Sequence, residues 1–222
     1  MQRPFFHSRK IGYGRNPFGA LTDEEWAAVA VLPPKAAQAL ESGFAHLQLL
    51  GPMGVGKSTA LLAMQEVFKE AGRQAVYEYL PLGKRRFDTE TAVLDVFLLD
   101  EAQRLSWRQR RRLVGGAGNG RLQLILSSHE DLSHIFAQKG LVLTSVDLAG
   151  EMTVGWVTAV LDTRLAYFAL PDQPHAILSD DAVHYLCHRF GDNLRQMEYF
   201  LYEVWQRLDT PELVTRQTLE SQ

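Results

Sequence analysis

The chain has 222 residues, of which 46% are apolar and 22% charged, an ordinary composition for one globular domain or a core with a small second domain. Its net charge of −3 excludes a global attraction to nucleic acid or membrane, and its single cysteine, Cys187, excludes a disulfide framework and cysteine-rich metal sites. We find no signal peptide and no apolar run long enough to span a bilayer, and therefore expect a cytoplasmic protein.

The N-terminal arm is basic, because Arg3, Arg9, Lys10 and Arg15 all precede the first acidic residue, Asp23. This local excess is hidden in the overall charge of the chain. Such arms can contact nucleic acid, although most are solvated tails, and the sequence leaves both interpretations open.

Two short helices are predicted after the arm. Thr22 and Glu25 have the spacing of a capping box, which predicts that the first helix begins there. It should end before the proline pair at 33–34, where a second helix runs to about Ser42 and stops at Gly43.

The segment after these helices carries the most specific signal in the chain. An apolar run at 45–50 predicts the first strand and leads into the spacing G-x-x-x-x-G-K-[ST], which is followed by helical periodicity. Glycines let successive backbone N–H groups face a phosphate, and the helix N-terminus adds partial positive charge. We expect Lys57 to reach the β- and γ-phosphates of a nucleoside triphosphate and the Ser58 hydroxyl to ligate Mg²⁺. The predicted nucleotide contacts are Gly51, Pro52, Met53, Gly54, Val55, Gly56, Lys57, Ser58 and Thr59.

Strands then alternate with helices, which predicts an α/β fold, a parallel sheet with helices on both faces. A helix at about 106–114 is followed by the glycine-rich segment 115–120, which we expect to be a flexible loop. The further predicted strands are 75–80, 96–101, 122–128 and 141–146.

Strand signals stop near Met152, and three helices are predicted beyond it, at 153–169, 179–189 and 192–208. They indicate a small all-α domain attached to the α/β core. We therefore divide the chain into a leading arm with its helices (1–43), a phosphate-loop core (44–150) and a helical lid (151–222).

Two acids, Asp100 and Glu101, end the third strand. The carboxyl ends of parallel strands face the ligand crevice, so we assign Asp100 to Mg²⁺ through its water shell. Glu101 would polarise the water that attacks the γ-phosphate. An acidic N-cap of the following helix is the alternative interpretation, but the apolar strand in front and the phosphate loop upstream favour the catalytic one.

The order of these features resembles the AAA+ ATPases: a phosphate loop, Asp-Glu after a hydrophobic strand, a polar strand end and a helical lid. Within that family the chain is most similar to the initiator-like branch, which holds ExeA-type and TnsC-type ATPases and the Orc-like initiators. The resemblance covers about residues 14–208. It implies that the protein binds ATP and Mg²⁺, hydrolyses ATP, and assembles into a homo-oligomeric ring or filament.

The resemblance assigns roles to two polar segments. Asn16-Pro17-Phe18 resembles the leading motif of ExeA-like proteins, which sits beside the adenine, and this implies that Asn16 and Phe18 contact the base. The serines that end the fourth strand correspond to the polar "sensor 1" position of the catalytic site, with Ser128 preferred over Ser127.

Residues 191–195 match the Gly-x-x-x-Arg pattern that begins a lid helix with the catalytic "sensor 2" arginine, here Arg195. Arg195 lies one position off the apolar stripe of its helix, so it borders the packed face and can reach across a cleft to phosphate oxygens. A surface arginine on an amphipathic helix is the alternative interpretation.

One departure from the family pattern concerns the arginine finger, which a neighbouring subunit supplies from just before the fifth strand. Between Arg121 and Arg164 the chain has no arginine, and only Lys139 lies near the expected place. A lysine makes a weaker, non-bidentate phosphate contact. Either Lys139 takes the place of the arginine finger, or an arginine from elsewhere in the chain reaches the neighbouring nucleotide, or hydrolysis is slow.

Two basic clusters are candidates for contact with double-stranded DNA. In TnsC-like proteins the region between the second and third strands touches the DNA backbone, and basic side chains on a loop suit phosphate contact without base readout. Ordinary solvated charge is the alternative for each cluster. The clusters are Lys84, Arg85 and Arg86 in that loop, and Arg108, Arg111 and Arg112 on one helix face.

These features favour an ATPase that assembles with nucleotide, a DNA-associated regulator of the TnsC type with a transposase or another protein as partner. The alternative is an ExeA-type nucleotide-switched protein of secretion or signalling, and DNA binding distinguishes the two. A small-molecule phosphotransferase is disfavoured, because the sequence shows a lid with Arg195 and no acceptor pocket.

Overall fold

The computed structural model describes residues 6–221, so Arg3 of the predicted basic arm lies outside the described residues. The chain divides into two compact units. The α/β unit is Leu32–Glu151, and the helical unit combines Met1–Val31 with Met152–Gln222. Within residues 6–221, none of the helices is long and apolar enough to cross a membrane.

Five strands form the sheet of the α/β unit, with elements numbered along the whole chain: β1 (His46–Leu50), β2 (Ala75–Tyr79), β3 (Val96–Asp100), β4 (Gln123–Ser128) and β5 (Leu143–Asp147). Their order is β2-β3-β4-β1-β5, and each neighbouring pair is parallel. Every residue of β3 is buried, which explains why this strand is an unbroken apolar run up to its final acid. The predicted parallel sheet is confirmed.

Helices cover both faces of the sheet, as the alternation of side chains along β3 shows. Leu98 belongs to the apolar cluster that contains Leu61 and Met64, whereas Phe97 belongs to the opposite cluster with Leu113. Each face of the sheet therefore has its own core. The helices of this unit are α3 (Pro34–Ser42), α4 (Lys57–Glu70), α5 (Trp107–Ala117) and α6 (Ser133–Ala137), with a 3-10 turn at Ala102–Arg104.

Two local sequence signals have different outcomes. The predicted capping box is present, with the Thr22 hydroxyl accepting a hydrogen bond from the backbone N–H of Glu25. The prediction that residues 115–120 form a flexible loop is wrong in its first half, because α5 continues to Ala117. Ala117 is fully buried, and its packing outweighs the cost of about 1 kcal/mol that each helical glycine brings relative to alanine.

The helical unit is built around a single apolar cluster that includes Leu161, Met197 and Trp205. It also contains a short parallel strand pair, which the predicted all-α domain lacked, because two residues per strand leave no periodicity to detect. Its elements are α1 (Phe6–Lys10), α2 (Asp23–Val29), α7 (Val154–Phe168), β6 (Ile177–Leu178), α8 (Asp180–Phe190), α9 (Leu194–Arg207), β7 (Leu213–Val214) and α10 (Arg216–Glu220).

The segment between α1 and α2 is packed into the helical unit rather than forming a separate arm. Tyr13 is fully buried there and donates a hydrogen bond to the carbonyl of Ala176, and burial raises the pKa of its phenol. The predicted leading region, residues 1–43, is divided in the structure, with the chain up to Val31 in the helical unit and Leu32 onward in the α/β unit.

Candidate functional site

The loop after β1 has a backbone that only glycine adopts readily. Gly51, Gly54 and Gly56 have φ angles of 140°, 93° and 87°, and Gly56 is the N-cap of α4. A Cβ atom added at Gly51 would lie 3.0 Å from the Val55 side chain, so a larger residue there would force a shift. The glycines of the motif therefore serve the loop's shape, which is suited to an anion at the start of a helix.

Lys57, the first residue of α4, is held inside this loop. Its side chain is buried, with 6% of the residue exposed, and its Nζ donates hydrogen bonds of 2.7 Å to the carbonyls of both Gly51 and Pro52. The ammonium and the helix N-terminus therefore place positive charge at the same loop. Next to Lys57, the half-buried Ser58 provides a hydroxyl at the first turn of the helix.

Asp100, at the end of β3, is 1% exposed and has a fixed carboxylate. One carboxylate oxygen accepts a 2.9 Å hydrogen bond from the Tyr77 hydroxyl, and the other accepts one from the hydroxyl of Ser127. A carboxylate oxygen has two lone pairs, so each can still accept from a metal-bound water. A hydroxyl such as that of Ser58 and one carboxylate are the oxygen ligands that Mg²⁺ uses, so these residues fit the ion.

Glu101 stands on a strained backbone, with φ at 62° and ψ at 40° in the left-handed region. For a residue other than glycine this conformation costs roughly 1–3 kcal/mol, and such strain concentrates at functional sites. Its backbone N–H donates a 2.9 Å hydrogen bond to the Ser127 hydroxyl, the same group that donates to Asp100. Ser127 thus links the two acids of the strand end.

The carboxylate of Glu101 has three side-chain neighbours that sequence analysis did not identify. Arg104 pairs with one oxygen at 2.8 Å, and Gln103 donates to the same oxygen at 2.8 Å. The His129 Nε2 lies 3.4 Å from the other oxygen. Arg104 is in turn anchored by the hydroxyl of Tyr79, 3.1 Å away. The catalytic candidate is therefore restrained by its surroundings.

The two serines at the end of β4 have different partners. Ser127 contacts the two acids, whereas the Ser128 hydroxyl donates to the carbonyl of Glu130 at 2.6 Å and accepts from its N–H at 2.9 Å. Sequence analysis preferred Ser128, and its catalytic role stays a prediction. The register, in which Leu98 lies beside Ile125, brings position 127 next to position 100, and no sequence signal set that register.

An open cavity of about 360 Å³ lies at the same end of the sheet. It is lined by Gly51, His129, Asp131 and Asp147, among others. Hydrogen bonds from Ser133 hold the pKa of the Asp131 carboxyl below its usual range, so this wall is negatively charged at neutral pH. Carboxylates repel a phosphate group, so this wall of the cavity does not favour an anion.

The predicted adenine contacts have structural roles within the helical unit. Asn16 accepts a hydrogen bond from the backbone N–H of Phe18 and donates to the carbonyl of Tyr202 at 3.0 Å. The buried Phe18 ring packs edge-on against Trp205, with ring centroids 4.9 Å apart. Arg195 is exposed in the first turn of α9. The roles of all three predicted residues toward a nucleotide stay predictions.

The two basic clusters adjoin in the structure. The carbonyl of Arg85 accepts a 3.0 Å hydrogen bond from the N–H of Ser106, which is the N-cap of α5. Farther along α5, the guanidinium of Arg112 lies 5.4 Å from the ring centroid of Phe87. The 84–86 loop therefore runs along the helix that carries the second cluster. Arg85, Arg86, Arg108, Arg111 and Arg112 are exposed, as is Lys139 just beyond α6.

No protein-family model and no curated protein matches the chain. Among solved structures, it is similar to a DNA replication initiation factor, with 19% identity and a TM-score of 0.51 over 76% of this chain and 58% of that one. It is also similar to AMPPCP-bound DnaA from Aquifex aeolicus, with 18% identity and a TM-score of 0.51 over 76% of this chain and 59% of that one. The chain spans less than three fifths of the length of either structure. These likenesses show the fold alone: the chain shares the P-loop α/β fold of these initiators, as the sequence predicted.

Proposed function

We propose that the chain binds ATP with Mg²⁺ at the glycine loop and hydrolyses it. The observation that carries this proposal is the Ser127 hydroxyl, which joins the buried Asp100 carboxylate to the backbone of Glu101. A strand end organised in this way supports a shared task for the two acids. The buried Lys57 ammonium supports phosphate binding at the other half of the site. A nucleotide analogue in DnaA, which shares the fold, is consistent with this assignment.

Each residue of this site has a role that follows from its chemistry. Lys57 and the N-terminus of α4 would bind the β- and γ-phosphates, and Ser58 with Asp100 would hold Mg²⁺. The ion, when bound, neutralises charge on the phosphate oxygens. Glu101 would accept the proton of the attacking water. Arg195 remains the proposed "sensor 2" contact with phosphate oxygens, Ser128 the proposed "sensor 1" residue, and Asn16 and Phe18 the proposed adenine contacts.

Replacement of Lys57 by alanine tests nucleotide binding. We expect Lys57→Ala to lose measurable affinity for Mg²⁺-ATP in calorimetry, because it removes the charge that faces the β- and γ-phosphates. Lys69→Ala is a matched control: it makes the same change on the exposed side of the same helix, where Lys69 pairs with Glu66 at 2.7 Å. Micromolar affinity retained by Lys57→Ala would overturn the assignment of the loop.

We also propose that assembled copies contact the DNA backbone through the two basic clusters, as expected for a TnsC-type regulator with a transposase as partner. The specific observation is that the clusters adjoin, and that Arg85, Arg108, Arg111 and Arg112 form no ion pair with any carboxylate among the residues that the structure describes. Unpaired guanidinium groups on one surface suit phosphate contact. Lys139 remains the proposed trans-acting residue between neighbouring copies.

A salt titration of DNA affinity, with ATP present, tests this second proposal. Each phosphate contact contributes about −0.9 to the slope of log affinity against log salt, so replacing Lys84, Arg85 and Arg86 by alanine should flatten it by up to about three units. The Lys69→Ala control should keep the wild-type slope. An unchanged slope in the triple variant would exclude this loop, and a wild type without DNA affinity at low salt would favour the ExeA-type alternative.

A further inference from the structure

Trp107 is a large aromatic residue that the fold leaves in solvent. It is the first residue of α5 and is 64% exposed, whereas Trp156 and Trp205 are buried in the helical unit. A folded chain loses hydrophobic stabilisation by exposing an indole in this way. Single exposed apolar residues are common, so the surroundings of Trp107 decide whether it has a binding role.

The ring of Trp107 is held in place by a cation. The guanidinium of Arg111, one turn farther along α5, lies 4.8 Å from the centroid of the indole. An indole has two faces, and the large exposed fraction shows that a second face is open to solvent. A cation on one face of an aromatic ring fixes its orientation and leaves a flat platform on the other.

A second aromatic residue of the same kind lies at the end of β2. Tyr79 is 48% exposed, and the guanidinium of Arg104 lies 5.6 Å from its ring centroid. Arg104 also donates to the carbonyl of Leu80, so the segment that leads into α5 runs along the segment that follows β2. The two aromatic–arginine pairs therefore lie on neighbouring segments, which we take as one surface together with the adjoining 84–86 loop.

The charge of this surface is predominantly positive. The acids near it are already engaged: Glu78 and Asp88 pair with Lys84 at 2.9 and 3.0 Å, and Glu130 lies 3.3 Å from Arg110. Arg85, Arg108, Arg111 and Arg112 have no carboxylate partner among the described residues. A second copy of the same surface would bring arginine against arginine, so the ligand that fits is a polyanion.

Among polyanions, the exposed rings select one class. An acidic peptide pairs with the arginines but offers no flat group of matching size, and a duplex offers phosphates while its bases are stacked on one another. A single strand offers phosphates and free bases together. We propose that this surface binds single-stranded nucleic acid, with one base stacked on Trp107 and the flanking phosphates on Arg85, Arg108 and Arg112. This inference rests on the nucleic-acid contact proposed above and changes its substrate from duplex to single strand.

The test compares three probes on the full chain: a 15-nucleotide oligo-dT, the same strand paired with oligo-dA, and an abasic strand of equal length and charge. We expect the wild type to bind oligo-dT more tightly than either of the others. Trp107→Ala should lose roughly 5- to 150-fold of its affinity for oligo-dT, the range of one stacked base, and keep its affinity for the abasic strand and the duplex. Trp107→Phe should restore most of the loss.

Two controls separate this result from a general defect. Tyr199→Ala removes an aromatic residue that is 67% exposed in the helical unit, and it should bind all probes as the wild type does. ATP binding, measured on the same samples, should be equal in wild type and Trp107→Ala. A wild-type protein that binds oligo-dT but does not bind ATP would refute the proposed ATP site and support this inference.

Tryptophan fluorescence gives an independent readout of stacking. Oligo-dT should quench the emission of the wild type, and the quenched component should be absent from Trp107→Phe, because the more buried tryptophans do not meet the base. The same titration with oligo-rU shows whether the surface prefers RNA, which tighter binding of oligo-rU than of oligo-dT would indicate. The proposal would be overturned if Trp107→Ala lost affinity for oligo-dT and for the duplex equally, or lost none. It would also be overturned if the wild type bound poly-glutamate as tightly as oligo-dT.

Discussion

Arg164 and Arg104 both pair with a glutamate, but in different surroundings. Arg164 is buried in the helical unit, where it pairs with Glu198 and donates to the backbone carbonyls of Pro17 and Gly19. Burial lowers the pKa of the Arg164 guanidinium and raises the pKa of Glu198, which shows that removal from water is the dominant effect on both groups. The pair ties the leading segment to α7 and α9.

Arg104, in the α/β unit, pairs with Glu101 near the surface. Glu101 sits on a left-handed backbone and shares its carboxylate among Arg104, Gln103 and His129. The surroundings of an arginine–glutamate pair therefore decide its role. A buried pair whose remaining donors bind backbone carbonyls holds the fold together, whereas a pair on a strained strand end restrains a reactive group.

The largest expected effect concerns the buried pair. Arg164→Met should lower the free energy of unfolding of the helical unit by about 3 kcal/mol, because it leaves Glu198 buried without its partner. Urea denaturation followed by the fluorescence of the buried Trp156 and Trp205 measures it. Replacing Glu198 by leucine in the same chain should recover most of the loss.

The control for this variant is an exposed pair of the same chemistry. Arg216 pairs with Glu220 at 2.6 Å on the surface of α10, and Arg216→Met should cost less than about 1 kcal/mol. If Arg164→Met proves as mild as Arg216→Met, the buried pair does not hold the helical unit together.

Removing Arg104 from its pair with Glu101 should change ATP turnover rather than stability. Arg104→Met should change the free energy of unfolding by less than about 1 kcal/mol, since the pair lies near solvent. It should raise ATP turnover about three- to tenfold, because the carboxylate of Glu101 is no longer held by a cation and is free to accept a proton. Steady-state phosphate release and ATP binding, measured together, separate turnover from affinity. Slower turnover would show that Arg104 positions Glu101 for the reaction rather than restraining it.

The smallest expected effect is pH-dependent and concerns the loop of the first basic cluster. Burial raises the pKa of Glu78, but hydrogen bonds from Lys84, Thr89 and Asp88 outweigh it and hold this pKa below its usual range. Because the folded pKa is depressed, the contribution to stability is complete above the unfolded value of about 4.3 and is lost as pH falls through the folded pKa.

Denaturation of wild type and Glu78→Gln across pH 7 to 3 checks this contribution. The difference in the free energy of unfolding should be about 1 kcal/mol at pH 7 and should shrink as the pH falls below about 4. A difference that is constant with pH would mean that the ionised carboxylate of Glu78 does not hold the loop.

The sequence predicted those regions of the molecule that short-range patterns specify. The loop around Lys57 has a fixed spacing, and β3, the clearest of the five parallel strands, is an apolar run that ends in an acid. Asp100 and Glu101 were identified because they end such a run. Each of these signals lies within a few residues of the feature that it predicts.

The remaining features depend on contacts between distant positions. Ser127 meets Asp100 only through the register of β3 and β4, and Tyr13 joins the helical unit through a bond to Ala176, 163 residues away. α5 extends through two glycines because Ala117 packs into the core. A single sequence carries no pattern that reports such pairings, since propensity and periodicity are local quantities.

Turnover by Glu101→Gln tests most directly whether this strand end hydrolyses ATP bound to the glycine loop. The amide keeps the shape of the side chain but cannot accept the proton of the attacking water, so we predict a loss of about 100-fold or more in turnover with unchanged binding of Mg²⁺-ATP. Glu130→Gln, which changes an exposed glutamate nearby, should hydrolyse ATP as the wild type does. Normal hydrolysis by Glu101→Gln would show that Glu101 does not accept the proton of the attacking water.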